Sequence, residues 1–153
     1  MAKKTDDGPA RHESGAIARS AGEVRYMGER LIHAGVLVVR SCGDDKVTLD
    51  ERRDLAPALP VAFDWGHAGS RARADRLAIA ILADALADRA HGDEFALRYH
   101  REYAREVLDR QPDAFFDVGA WAAARWVAER EDTRQPATSR LGLHTGSRVG
   151  RTA

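Results

Sequence analysis

The chain has 153 residues, enough for one domain with a real core, and 24 basic residues against 24 acidic ones give a formal net charge of zero. A single cysteine, Cys42, rules out an intramolecular disulfide and suits a reducing cytoplasm, and no apolar run approaches the roughly 18 residues of a membrane span. The expectation is therefore a cytoplasmic protein with no membrane contact.

The charge is unevenly spread. Residues 133–153 carry +4 from Arg134, Arg140, Arg148 and Arg151, and residues 1–22 carry +1, which leaves −5 for the segment between them. An acidic body disfavours nucleic acid as its partner, whereas the basic tail could touch phosphate or an acidic protein. Residues 1–22 mix Lys, Asp, Gly, Pro and Ser without a sustained period and lack the apolar stretch of a signal peptide. They read as a flexible leader, residues 132–153 as a flexible basic tail, and residues 23–131 as one domain.

Residues 24–27 and 36–40 are short runs rich in β-branched and aromatic side chains, set off by Gly28 and Gly35, and they predict two antiparallel strands. Residues 43–45 read as a turn and residues 46–49 as a short third strand. Residues 50–55 then suggest a helical turn ended by Pro57 and Pro60.

The centre of the chain is the stretch from Phe63 to Ser70. Phe63 and Trp65 share one side of an extended segment, which turns Asp64 the other way. Gly66 and Gly69 allow turns, and Ser70 can cap a helix that starts near Arg71 and runs to about His91. Residues 77–83 are apolar on every side, so this helix should be enclosed, with Ile81 in its core turn. A second helix is expected from Asp93 as cap, with Phe95, Tyr99, Tyr103 and Val107 on one face and Pro112 at its exit. Phe115 and Phe116 should lead through Asp117, a second candidate cap, into a third helix. There Trp121 and Trp126 lie about 140° apart around the axis, so one of them must be partly exposed. The sum is an α+β domain: a small antiparallel sheet of two or three short strands covered by three helices, with disordered tails at both ends.

The series Tyr26-Met27-Gly28, residues 49–55, Phe63-Asp64-Trp65-Gly66, Gly69-Ser70, residues 77–84 and a late tryptophan-bearing helix resembles an uncharacterised family of unknown function. That family has a Trp-Gly-Tyr-Gly-Gly-Ser-Gly-Pro signature and occurs in phages, plasmids and haloarchaeal or bacterial mobile elements. The resemblance covers residues 24–129 and implies a fold and a genomic setting, with no known activity. The chain departs from the signature at His67, Ala68, Arg71 and Ala72.

Chemical motifs are sparse. Asp64 and His67 could form an acid–base pair if the turn brought them together, but no nucleophile accompanies them, and a turn-stabilising or surface-facing ring is the better reading of His67. Cys42 reads as a small core residue rather than a thiol nucleophile. The histidines lack zinc-type spacing, so neither a metal nor another cofactor is expected, and the glycines near Trp65 lack the lysine of a phosphate loop. Tyr99 and Tyr103 could stack on bases, yet their helical spacing favours the core. Candidate binding residues are therefore His67, Arg71 and Asp64. Phe63, Trp65, Gly66, Gly69, Ser70 and Ile81 are expected to be structural. Two functions follow. One is a non-enzymatic accessory protein of a mobile element that binds a host or phage macromolecule, for instance to inhibit a defence system; the other is a small enzyme or ligand-binding protein using the turn at 65–70.

Overall fold

A computed structural model describes residues 22–67 and 69–134. The expected leader lies outside them except for Gly22, as does the basic tail beyond Arg134. Four antiparallel strands form one sheet in the order β3-β2-β1-β4: β1 (Val24–Leu31), β2 (Gly35–Cys42), β3 (Asp45–Thr48) and β4 (Phe115–Gly119). Three helices accompany it: α1 (Arg71–Ala85), α2 (Gly92–Tyr103), which continues into a wide π-turn at Ala104–Leu108, and α3 (Ala120–Arg134). The α+β class stands, with one strand more than expected.

The extra strand corrects the reading of Phe115, Phe116 and Asp117. These residues do not lead into a helix; they pair with β1, where Phe116 opposes Gly28 and Asp117 opposes Met27. Asp117 accepts from Arg25 Nε at 2.8 Å instead of capping α3. Gly28 does not end β1 either. It sits mid-strand, where any Cβ would overlap the Phe116 ring, so the glycine makes room for a cross-strand aromatic.

Other boundaries move as well. Residues 50–55 form turns, with Arg52 at φ 46°, because Arg52 bonds outward to Asp54 and Asp93. α1 stops at Ala85, and the chain turns until His91, itself left-handed at φ 65°, precedes α2. Asp93 thus falls in the first turn of α2, where a carboxylate favours the positive helix end, and does not cap it. α3 runs three residues past the expected domain limit at 131, and Arg134 reaches Glu102 at 3.3 Å.

The core lies between one sheet face and the helices. Residues 74–83 of α1 are all buried, so the uniformly apolar run is enclosed as its composition demands, with Ile81 fully inside. Tyr26, Val38, Phe116 and Val118 project onto it from the sheet, and Tyr99 and Tyr103 from α2. Trp126 is edge-on to both tyrosines, while Trp121 is 65% exposed, as the five-residue spacing requires. Cys42 is half-buried at the end of β2, and its thiol donates to the Gly22 carbonyl.

Candidate functional site

The turn at 63–70 is built from the inside out. Trp65 is fully buried; its Nε1–H donates to the Pro112 carbonyl at 3.0 Å, and its ring meets Phe116 at 74° with centroids 4.8 Å apart. Phe63 packs on the same core, half-buried. Gly66 takes φ 76°, and its amide donates to the Leu108 carbonyl. Gly69 then donates to Gly66 and closes the turn.

Asp64 is not turned to the polar side as the alternation in an extended segment suggested. It is buried, because its carboxylate gathers the turn: Oδ1 accepts from Arg30 Nη2 at 2.5 Å and from the Trp65 amide, while Oδ2 accepts from the Ser70 amide at 2.7 Å. Burial pushes its pKa up, but the Ser70 amide, the Arg30 guanidinium and the Trp65 amide outweigh that and hold the carboxyl below the usual carboxylate range. Ser70 holds the position just before α1, yet its hydroxyl makes no cap bond. With both Asp64 oxygens occupied, the acid–base pair with His67 is not assembled.

His67 is exposed at the tip of the turn. Arg71 is 54% exposed and donates to Asp109 at 2.6 Å. The turn therefore places the three candidate binding residues in two groups, Asp64 inside and His67 and Arg71 outside.

Two polar clusters, one half-buried and one fully buried, went unnoticed in the sequence. Asp84 Oδ2 accepts from the Tyr26 hydroxyl at 2.6 Å and from Arg40 Nε at 2.7 Å, tying α1 to β1 and β2; burial, helped by Asp84, pushes the Tyr26 phenol well above its usual pKa. Arg76 is completely buried and donates to four backbone carbonyls, those of Glu51, Ala56, Leu59 and Pro60. An arginine directly before the apolar run of α1 was the signal for it. Among the described residues, no three His, Cys, Asp or Glu side chains gather as a metal site.

The profile of a family of unknown function matches residues 26–136. The chain belongs to that family, DUF6166. Its matched span takes in every helix and strand above apart from the first two residues of β1. No curated protein and no solved structure matches it.

Among the described residues of this DUF6166 domain, nothing covers one face of the sheet. Strand register sets its rows: Leu37, Glu29 and Phe115 lie side by side across β2, β1 and β4, and Thr48, Val39, Met27 and Asp117 form the next row. Phe115 is 57% and Leu37 45% exposed, and with Met27, Val39 and Lys46 they line a shallow depression of about 600 Å³. Leu31 adds a further exposed apolar side chain on the same face. Apolar side chains thus flank Glu29, with Lys46 and the Arg25-paired Asp117 lining the same depression, on a surface that no helix among the described residues covers. None of these residues was read as a binding residue from the sequence, because the face exists only once β4 has joined β1.

Proposed function

We propose that the protein is a non-enzymatic accessory protein of a phage or other mobile element, and that it acts by docking a host or phage protein on the open face of its sheet. The observation that carries this reading is the apolar row of Leu37 and Phe115 around Glu29. An apolar patch on a sheet face suits a protein partner better than nucleic acid. A carboxylate in its middle makes the patch selective. Covering Glu29 without a cation would strand a charge, so the partner presents apolar side chains around a lysine or arginine. Where that partner is a nucleic-acid-handling protein of a host defence system, occupying its basic site would inhibit it. The mobile-element setting rests on the signature resemblance. The other reading, a small enzyme or ligand-binding protein centred on the turn at 65–70, is the weaker one because the Asp64 oxygens are already engaged.

The test is affinity capture from the native host with the full chain and four variants. A stoichiometric partner should be retained by the parent and by Trp121→Ser, which removes an exposed aromatic on α3. It should be lost with Leu37→Ser, Phe115→Ser and Glu29→Lys. Retention by all three face variants would overturn the docking surface, and the lack of any stoichiometric partner would overturn the function.

A further inference from the structure

A second feature lies away from the sheet, where α1 passes the end of α2. Arg71 and Asp75 are four residues apart on α1, and Arg101 and Arg105 are four apart on α2 and its π-turn, so each pair occupies one helix face. The four side chains line a cleft of about 500 Å³. Asp75 is only 7% exposed, and its Oδ1 is buried without a hydrogen-bond partner among the described residues. Such an orphan is uncommon in a folded interior, where buried polar groups are almost always paired. The π-turn is a second unusual element. The Asp109 amide bonds to the Ala104 carbonyl five residues back, and the extra residue carries Asp109 round to clamp Arg71 at 2.6 Å. Arg101 and Arg105 remain exposed beside it.

We propose that this cleft binds a small phosphomonoester that also carries hydroxyl groups, of the sugar-phosphate class. Guanidinium forks match phosphate oxygens in pairs, and Arg101 and Arg105, with Arg71 held by Asp109, offer such forks from two helices. Asp75 lines the cleft and can only accept, so an anion alone gives its carboxylate no donor, whereas a hydroxyl beside the phosphate donates to it. Among the described residues the lining contains no aromatic ring, which favours a sugar over a stacked base. The volume suits a ligand of that size. The site is independent of the sheet face, and it absorbs Arg71 without needing His67.

Calorimetric titration of the full chain with ribose 5-phosphate, inorganic phosphate and ribose tests it. Ribose 5-phosphate should bind about tenfold more tightly than inorganic phosphate, and ribose should not bind. The Arg101→Gln, Arg105→Gln double variant should weaken ribose 5-phosphate about tenfold or more, while Arg89→Gln, an exposed arginine after α1, should leave it unchanged. Asp75→Asn keeps an acceptor but loses its charge, so it should narrow the preference for ribose 5-phosphate without weakening inorganic phosphate. Equal affinity for ribose 5-phosphate and inorganic phosphate in the parent would overturn the proposal, as would unchanged binding in the double-arginine variant. Those two substitutions are on exposed side chains, so their result decides the matter whatever Asp75→Asn does to folding.

Discussion

Arg30 and Asp64 meet at 2.5 Å, and through that contact β1 holds the turn that launches α1. The same guanidinium reaches the Trp65 carbonyl at 2.6 Å and lies 4.7 Å from the centre of the Trp65 ring. One arginine therefore fixes both the acid and the aromatic of the turn. Asp64 in turn needs its charge, since it accepts three hydrogen bonds and donates none.

A pH dependence follows from this carboxylate. Its folded-state pKa is depressed, so its stabilisation is complete above the unfolded value of about 4 and is lost as pH falls through the lower folded value. Asp64→Asn should lower stability at neutral pH by about 1–3 kcal/mol and flatten the fall in melting temperature on the acid side. Thermal melts of both proteins between about pH 2 and pH 7 read this directly. Parallel acid slopes would show that Asp64 is not the group responsible.

Gly28 is expected to resist even alanine. Its added methyl would overlap the Phe116 ring, and strain of that kind costs about 1–3 kcal/mol. The cause is specific, so Phe116→Leu should recover part of the loss when combined with Gly28→Ala. A strictly additive double mutant, measured by denaturant unfolding, would place the cost elsewhere.

Trp65 and its neighbours in the turn should separate cleanly. Trp65→Ala removes a fully buried ring together with its bond to Pro112 and should cost about 3–5 kcal/mol. A His67→Ala, Arg71→Ala double variant alters exposed groups and one surface ion pair, so its melt should stay within about 1 kcal/mol of the parent. Comparable destabilisation in the two would contradict the division between inside and outside.

Arg76 makes a prediction about residues 51–60. Its guanidinium satisfies four carbonyls of that segment from within α1, and no other side chain among the described residues binds so many carbonyls. Arg76→Met keeps the length and apolar stem but orphans those carbonyls, at about 2–4 kcal/mol. The loop should then open locally, and chymotryptic cleavage after Leu55 should speed up ahead of global unfolding. Unchanged cleavage would mean that the segment is held by other contacts.

Composition and periodicity alone determined much of this molecule. The run at residues 77–83 could only be an enclosed helix, because an apolar surface on every side has to be covered from every side. The β-branched runs of β1 and β2, the buried face of α2 and the partial exposure of one late tryptophan follow from equally local rules. Tertiary structure decided what local rules could not. Residues 115–119 carry no strong strand signal of their own, and they become β4 because β1 offers an edge and Gly28 a hollow for Phe116. Asp64 alternates away from Trp65 in sequence yet is drawn inside by Arg30 from 34 residues earlier. The two candidate binding regions have the same origin. The open sheet face needs β4 in register, and the arginine cleft joins residues about thirty positions apart through the packing of α1 on α2. Pattern specifies which faces are buried, while the meeting of distant charges depends on how those faces stack, and that is settled only when the whole chain has folded.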